Sequence, residues 1–302
     1  MKTKSGYVAI LGLPNAGKST LMNSILGERL SIITNKPQTT RKRITGIYSD
    51  EKSQIIFLDT PGILEPTYLL QEKMMDFVSG SIKDADLLIL IIDISYDKKG
   101  HKLFSNKTVD EILKNVRKKK LLIINKIDLS NENEIKNIIE HLENMNLFES
   151  VIPISASNSF NIDALKEKII ELLPEGPKYY PDDQLSDENE RFFVTEIIRE
   201  KIFDLFKDEI PYSTEVIIEE FKEREGRKDF ISASIIVERD SQKPIIIGNK
   251  GESIKRIGKI SREAIEAFLG REVYLELYVK VREKWRSNIT QLKSFGYHSE
   301  NE

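Results

Sequence analysis

The residues best suited to chemistry form a glycine-rich loop near the N-terminus, Gly12-Leu-Pro-Asn-Ala-Gly-Lys-Ser19, which follows an apolar run. It fits the pattern G-x-x-x-x-G-K-[ST], in which successive backbone N–H groups and a helix N-terminus together attract an anion. Lys18 can reach the β- and γ-phosphates of a nucleoside triphosphate, and the Ser19 hydroxyl can ligate Mg²⁺. A plain glycine turn is the alternative, and the preceding strand disfavours it. We expect contacts from Gly12, Leu13, Pro14, Asn15, Ala16, Gly17, Lys18, Ser19 and Thr20.

A second candidate motif, Asp59-Thr-Pro-Gly62, comes directly after the apolar run Gln54–Leu58. A carboxylate at the end of a strand beside a phosphate loop can hold Mg²⁺ through a coordinated water. Gly62 would place a backbone N–H near the γ-phosphate, so its position could report hydrolysis. The predicted contacts are Asp59, Thr60, Pro61, Gly62 and Ile63.

The loop Pro37-Gln-Thr-Thr-Arg-Lys-Arg43 lies between these two motifs. A threonine in such a loop can ligate Mg²⁺ through its hydroxyl and order the loop only when a triphosphate is bound. Thr40 is the candidate and Thr39 the second choice, while a basic, solvated loop is the alternative. The predicted metal ligands are therefore Ser19, Thr40 and Asp59.

The motif Asn125-Lys-Ile-Asp128 follows the apolar run Lys120–Ile124 and has the chemistry to read a base. The Asp128 carboxylate can accept from N1 and the 2-amino group of guanine, whereas adenine would leave it unsatisfied at a cost of about 1–3 kcal/mol. Asn125 can donate to the ring edge, the Lys126 stem can cover the base, and the Ala156 N–H can bind O6. GTP and GDP are the predicted ligands, with base contacts from Asn125, Lys126, Ile127, Asp128, Ser155 and Ala156.

A different chemistry is indicated by Gly248-Asn-Lys-Gly251, which lies immediately before a predicted helix. A G-x-x-G loop of this kind can clamp a backbone of about four nucleotides against a helix N-terminus. The motif alone is weak, because it also fits a helix-capping turn. However, residues 243–262 contain six basic residues and one acid, and five isoleucines could form an apolar floor for bases: Ile245, Ile246, Ile247, Ile254 and Ile257. The predicted RNA contacts are Gly248, Asn249, Lys250, Gly251, Lys255 and Arg256.

The elements that must position these motifs change in order along the 302-residue chain. In residues 1–174 short apolar runs alternate with helical patterns, which predicts parallel crossovers in a doubly wound sheet with an antiparallel hairpin on one edge. Pro174-Glu-Gly-Pro177 stops the last helix, and residues 175–190 are predicted to be a linker. Residues 191–302 then read as helix, strand, strand, two helices within Glu252–Leu269 and strand, followed by a C-terminal helix.

Composition excludes several classes of site. The chain has no cysteine, so disulfides, Cys-ligated zinc and thiol catalysis are excluded, and its three histidines are scattered. No apolar run approaches the roughly 18 residues that span a bilayer. The net charge of −3 argues against attraction of the whole protein to nucleic acid, so the basic block is a local feature. We expect a cytoplasmic monomer.

The four motifs of residues 5–173, in this order, resemble the Era/TrmE-type branch of the translation-factor-like GTPases. The second part is similar to a type II KH domain, and the pairing of the two over residues 7–296 resembles the Era family of GTPases. TrmE-type proteins are disfavoured because they lack a KH domain. The resemblance implies an α/β P-loop GTPase domain with a doubly wound, mostly parallel sheet, followed by an α+β KH domain.

The same resemblance implies a function. Members of the Era family hydrolyse GTP, bind single-stranded RNA near the 3′ end of 16S rRNA, act in assembly of the small ribosomal subunit and associate weakly with the inner face of the cell membrane. Ile63 stands where other GTPases have a water-orienting Gln, and Asn15 is similar to an asparagine that binds an activating K⁺. The catalytic residues are then Lys18, Thr40 and Asn15, with slow intrinsic turnover and with GTP ordering the loops 37–43 and 59–80. The alternative is an RNA-binding KH module with a structural, non-cycling nucleotide domain.

Overall fold

The computed structural model describes residues 3–298 and separates into two compact units. The first unit contains the described residues up to Pro66 together with Met74–Asp187, and the second contains Thr67–Lys73 and the described residues from Glu188 onwards.

The first unit is built around a sheet with strand order β2-β3-β1-β4-β5-β6. Strand β2 is antiparallel to β3, and the remaining neighbours are parallel. The elements of residues 3–187 in chain order are β1 (Lys4–Gly12), α1 (Lys18–Leu26), β2 (Ile44–Ser49), β3 (Ser53–Asp59), α2 (Leu69–Asp84), β4 (Leu87–Asp93), α3 (His101–Phe104), α4 (Lys107–Asn115), β5 (Lys119–Asn125), α5 (Glu132–Glu143), β6 (Ser150–Pro153) and α6 (Ile162–Leu172). Of α2, the residues up to Lys73 are assigned to the second unit.

The parallel strands bring the candidate motifs together at one edge of this sheet. Strand β4 is an unbroken apolar run, Leu87–Ile92, whose residues are all buried, as expected for a parallel strand that is covered on both faces. The register pairs Ile10 with Asp59, Gly12 with Ile91 and Asp93 with Asn125. The carboxyl ends of β1, β3, β4 and β5 therefore lie at the same edge, where β3 ends two residues before β1 and β1 ends two residues before β4. Ligands bind at this edge in doubly wound sheets.

Residues 175–187, which belong to the predicted linker, pack against the first unit. The Ile47 N–H of edge strand β2 donates to the Leu185 carbonyl (2.8 Å), and the Ser186 hydroxyl donates to the Thr45 carbonyl (2.6 Å). The Gln54 side chain accepts from the N–H groups of Tyr179 and Tyr180 and donates to the Tyr180 carbonyl. This segment therefore provides hydrogen-bond partners for backbone groups of edge strand β2, which would otherwise be open to pairing with another chain.

The second unit contains a three-stranded sheet with the order β7-β8-β9, in which β7 and β8 are antiparallel and β8 and β9 are parallel. A parallel neighbour requires a crossover, which the two helices between β8 and β9 supply. The elements are α7 (Glu190–Leu205), β7 (Glu215–Lys222), β8 (Asp229–Val237), α8 (Lys243–Ile247), α9 (Glu252–Leu269), β9 (Val273–Val281) and α10 (Ile289–Ser294). This is the predicted order of helices and strands. The placement of the two helices is partly wrong, because Glu252–Leu269 forms the single helix α9 and the other helix, α8, lies before the Gly248–Gly251 loop.

The segment after β9 packs against the rest of the second unit through buried polar contacts. Trp285 is fully buried, and its indole N–H donates to the Ser213 carbonyl at 2.9 Å. The Tyr297 hydroxyl donates to a carboxylate oxygen of Glu215 at 2.5 Å. Both aromatic side chains thus find hydrogen-bond partners in the interior, as buried Trp and Tyr usually do. None of the helices in residues 3–298 has both the length and the apolar character that a membrane span requires.

Candidate functional site

The backbone of the glycine-rich loop requires glycine at two positions. Gly17 has φ of 98°, and a Cβ atom there would lie 2.2 Å from the Nδ2 atom of Asn125. At Gly12 a Cβ atom would lie 2.6 Å from Cγ2 of Ile91 and 2.8 Å from its carbonyl oxygen. Because α1 begins at Lys18, the free N–H groups of its first turn face the loop.

Lys18 is directed back into this loop. Its Nζ atom donates to the carbonyls of Gly12 (3.2 Å) and Leu13 (3.1 Å), and the residue is 6% exposed. Burial lowers the pKa of Lys18 to about 8, although the nearby Asp59 charge opposes the shift. A phosphate at this position would favour the charged form of the lysine, so the site is electrostatically suited to an anion.

The three predicted metal ligands lie together beside Lys18. Ser19 Oγ donates to Asp59 Oδ2 at 2.7 Å, and the hydroxyl oxygens of Ser19 and Thr40 are 3.0 Å apart. Asp59 is fully buried, which raises the pKa of its carboxyl group, and its Oδ1 atom has no hydrogen-bond partner in the described part of the chain. An unpartnered carboxylate oxygen with two neighbouring hydroxyls matches the oxygen ligands that Mg²⁺ prefers.

The choice between the two threonines is supported by their contacts. The Thr39 hydroxyl lies 2.6 Å from that of Thr34 and donates to the Lys36 carbonyl at 2.8 Å, whereas the Thr40 hydroxyl lies against Ser19. Thr40, rather than Thr39, therefore lies beside Ser19, a second predicted metal ligand.

A cavity of about 240 Å³ lies over the loop, and Lys18, Ser19, Thr40 and Gly62 are among its lining residues. Its wall also includes five residues that no sequence motif indicated: Ile32, Ile33, Thr34, Asn35 and Lys36. The Asn15 side chain donates to the Asn35 carbonyl at 3.1 Å, which joins the glycine-rich loop to that wall. The only feature of the sequence that could have indicated this segment is its position between α1 and Thr40.

The Asp59–Ile63 segment is held against the loop by backbone contacts. The Thr60 hydroxyl donates to the Ile10 carbonyl (2.7 Å), and the Ile63 N–H donates to the Gly12 carbonyl (3.0 Å). A Cβ atom at Gly62 would lie 2.8 Å from Cα of Pro14, so only glycine permits this approach. Pro61 is buried between these contacts.

Asn125 connects the phosphate and base motifs. The residue is 2% exposed; its Nδ2 atom donates to the Ala16 carbonyl (2.9 Å), and its Oδ1 atom accepts from the Ala156 N–H (3.0 Å). Both polar atoms of the amide, and the N–H predicted to bind the guanine O6, thus have partners within the protein. The geometry assigns Asn125 a structural part in positioning both loops, which the sequence did not indicate.

The remaining base-motif residues are also arranged by neighbours. Lys126 has φ of 63°, and its Nζ atom donates to the Asn15 carbonyl (3.0 Å) and to Asp93 Oδ2 (2.6 Å). The Asp128 carboxylate is exposed and accepts a hydrogen bond from the Ser155 hydroxyl at 2.5 Å. Ile127 is half-buried between them. Asp93 is a further residue of this arrangement that no sequence motif indicated.

In the second unit the Gly248–Gly251 loop adopts positive φ angles before α9. Gly248, Lys250 and Gly251 have φ of 73°, 48° and 79°. A Cβ atom at Gly248 would lie 2.5 Å from Cβ of Ser253, whereas Asn249 and Lys250 are exposed. The loop therefore presents a lysine above a helix N-terminus.

A groove of about 390 Å³ runs between α9 and β9, with Ile254, Gly258, Leu275 and Leu277 as its apolar surface and Lys255, Lys259 and Arg262 as its cations. Most of the predicted floor is wrong: Ile246 and Ile257 are fully buried and belong to the core, and Ile245 and Ile247 are not among the groove residues. The β9 leucines take their place, because the β8–β9 pairing brings them beside α9. Arg256 is exposed but is not among the groove residues.

Comparisons with known proteins agree with this arrangement. The family model of the 50S ribosome-binding GTPases matches residues 7–126, and that of the KH domain matches residues 209–286. GTPase Era of Geobacter sp. (strain M21) is 46% identical over 296 residues, covering 98% of each chain. GTPase Era of Clostridium botulinum (strain Okra / Type B1) is 43% identical over 97% of this chain and 98% of its own length.

Two crystal structures are similar over nearly the whole length. A variant of Aquifex aeolicus Era bound to GDP·AlF4⁻ and an Era complex with MgGDPNP and nucleotides 1506–1542 of 16S ribosomal RNA each have a TM-score of 0.91 and 39% identity, covering 98% of this chain and 99% of theirs. The P-loop GTPase fold with a following KH domain is thereby confirmed. The two domains, the geometry of the site and this full-length similarity show that the chain belongs to the Era family of GTPases.

Proposed function

We propose that this protein is a GTP-hydrolysing switch that binds single-stranded ribosomal RNA near the 3′ end of 16S rRNA and acts in assembly of the small ribosomal subunit. The observation that carries the proposal is the presence in one chain of the Lys18–Ser19–Asp59–Thr40 cluster and the cationic groove between α9 and β9. The Era complex with MgGDPNP and 16S rRNA nucleotides supports it.

Hydrolysis of GTP to GDP and phosphate is assigned to the cavity over the glycine-rich loop. Ser19, Thr40 and Asp59 would hold Mg²⁺, which supplies positive charge to the phosphates when bound. Lys18 adds a second positive charge, and Asn15 extends from the loop to the cavity wall. Ile63 is buried and apolar, so it cannot orient a water by hydrogen bonding. Slow intrinsic turnover is therefore expected.

Selection of guanine is assigned to Asp128 in this arrangement. Because the Ser155 hydroxyl binds one carboxylate oxygen, the Asp128 side chain is oriented before a base arrives. Lys126 is fixed at its end by Asp93 and the Asn15 carbonyl, which leaves its alkyl stem to cover the ring.

RNA binding is assigned to the groove, where three cations flank an apolar floor beside the Gly248–Gly251 loop. Unpaired bases have apolar faces, and their phosphates need positive charge, so this surface suits a single strand. The matching GTPase family is described as binding the 50S ribosomal subunit, but its model matches only residues 7–126, and the groove lies outside them. For the choice of ribosomal subunit we therefore rely on the full-length similarity to the Era complex with 16S nucleotides.

The cytoplasmic location, the monomeric state, the use of K⁺ and weak peripheral membrane association stay predictions. The alternative, a non-cycling nucleotide domain, is disfavoured by the assembled cluster of Lys18, Ser19, Thr40 and Asp59.

The test measures both activities in the same preparation. GTP hydrolysis by the full chain is compared with that of Lys18→Ala, and binding of a fluorescent RNA with the 16S 3′-terminal sequence is measured with a GTP analogue and with GDP. Lys255→Ala should weaken RNA binding, whereas Lys228→Ala, which removes an exposed lysine paired with Glu272, should not. RNA affinity that is equal in the two nucleotide states would refute the switch, and absent hydrolysis would favour the alternative.

A further inference from the structure

A chain of hydrogen bonds connects helix α1 to the buried Asp59 carboxylate. Asn23 of α1 accepts through Oδ1 from the N–H groups of Leu30 (3.1 Å) and Ser31 (3.0 Å), and its Nδ2 atom donates to the Ser31 carbonyl (2.7 Å). The Ser31 hydroxyl in turn donates to Asp59 Oδ2 at 2.9 Å. Ser31 is 1% exposed, so water does not compete for this contact.

The two oxygens of Asp59 consequently differ. Oδ2 accepts two hydroxyl groups, those of Ser19 and Ser31, while Oδ1 is buried and has no partner among the described residues. Rotation of the carboxylate would break both hydroxyl contacts at once. Since buried polar atoms normally have partners, an unpartnered Oδ1 in a fixed orientation indicates a ligand-binding atom.

We propose that Ser31, held by Asn23, is a positioning residue for the magnesium site: its hydroxyl fixes the Asp59 carboxylate so that Oδ1 remains available to the metal's coordination sphere. Hydrogen-bond partners that orient a coordinating carboxylate commonly raise metal affinity. The inference rests on the proposed function, because it concerns the same Mg²⁺ site. It adds two residues that no motif of the sequence indicated.

A purely structural role for Ser31 makes a different prediction. If the hydroxyl only satisfies a buried carboxylate, its loss should lower the stability of the protein without changing the metal dependence of nucleotide binding. The test must therefore separate stability from Mg²⁺ affinity.

The experiment measures the release rate of a fluorescent GDP from the full chain as free Mg²⁺ is varied from excess EDTA to millimolar levels. For Ser31→Ala we expect a Mg²⁺ midpoint at least about tenfold higher than that of the wild type, with the release rate in EDTA unchanged. Ser31→Thr, which keeps a hydroxyl, should stay close to the wild-type midpoint. Ser24→Ala is the matched control, since it removes a hydroxyl from α1 that lies 3.2 Å from Ser159 Oγ and away from Asp59.

An unchanged midpoint in folded Ser31→Ala overturns the inference, whatever its melting temperature. If Ser31→Ala does not fold, Asn23→Ser, which loosens Ser31 without removing its hydroxyl, is measured, and an unchanged midpoint there has the same meaning. Nucleotide release from the wild type that does not depend on Mg²⁺ would instead contradict the proposed function itself.

Discussion

The close contact between Gly17 and Asn125 allows a quantitative test of how the phosphate and base motifs are joined. Gly17→Ala has two separate costs. The left-handed backbone at φ of 98° costs a side-chain-bearing residue about 1–2 kcal/mol. The new Cβ atom would also lie 2.2 Å from Asn125 Nδ2, while the next nearest atom, Asn125 Cγ, is 3.5 Å away. Asn125 would therefore have to move and give up its hydrogen bond to the Ala16 carbonyl.

Asn125→Ala removes the same hydrogen bond, together with the one from the Ala156 N–H. Each buried group left without a partner costs about 1–3 kcal/mol, so we expect a loss of roughly 2–6 kcal/mol in the free energy of unfolding. In the double variant the bond to Ala16 is lost only once, and the new methyl group meets no obstacle. The double variant should therefore be more stable than the sum of the single effects predicts, by about 1–3 kcal/mol.

The assay is urea unfolding of the wild type and the three variants without nucleotide. A second double-mutant cycle, which combines Gly27→Ala with Asn125→Ala, is the control. Gly27 also has a left-handed φ of 70°, but a Cβ atom there meets no described atom within 4 Å. The effects of Gly27→Ala and Asn125→Ala should add within about 0.5 kcal/mol. If the effects of Gly17→Ala and Asn125→Ala also add within this margin, the close contact between residues 17 and 125 and the positioning role of Asn125 are refuted.

Further predictions concern the base, the RNA and Lys18. Asp128→Asn should weaken GTP binding and favour xanthosine triphosphate, whose 2-oxo group accepts where guanine donates; an unchanged base preference in competition assays would contradict the assignment. If the groove binds about four phosphates, log K against log[salt] for single-stranded RNA should have a slope of roughly −3, and a flat response would exclude an electrostatic clamp. Because burial lowers the pKa of Lys18 from 10.5 to about 8, the unfolded chain binds more protons between these pH values. The free energy of unfolding of the nucleotide-free protein should therefore rise by about 3 kcal/mol across this window relative to Lys18→Met, and parallel pH profiles would contradict the shift.

Local patterns predicted the fold well, because they are strong where the chain is buried or turns sharply. The run Leu87–Ile92 is apolar throughout, which is typical of a parallel strand covered on both faces. Glycines at positions 12 and 17 could be interpreted from one motif, since close backbone approach excludes side chains there. The predicted order of helices and strands in residues 191–302 is confirmed for the same reason.

The candidate sites were predicted less completely, because their walls come from segments without a motif. Nothing local distinguishes Ile246 and Ile257, which are buried in the core, from Ile254, which lines the groove. The helix face of α9 decides that Ile254, and not Ile257, faces the groove, and Ile246 lies on a different helix, α8. The β8–β9 register brings Leu275 and Leu277 to the groove as well.

The sequence by itself indicated the chemistry that we propose for this protein: a phosphate loop, a carboxylate for Mg²⁺, a carboxylate for guanine and a basic G-x-x-G turn. These functions need particular side chains at short, fixed spacings, so they can be recognised from the amino-acid sequence alone. Only the tertiary structure decided which groups orient them. Asp93 lies 33 residues before Lys126 in sequence, and Ser31 lies 28 residues before Asp59, yet each pair is in hydrogen-bond contact. Such partners depend on strand register and loop packing, because hydrogen bonds are made between neighbours in space.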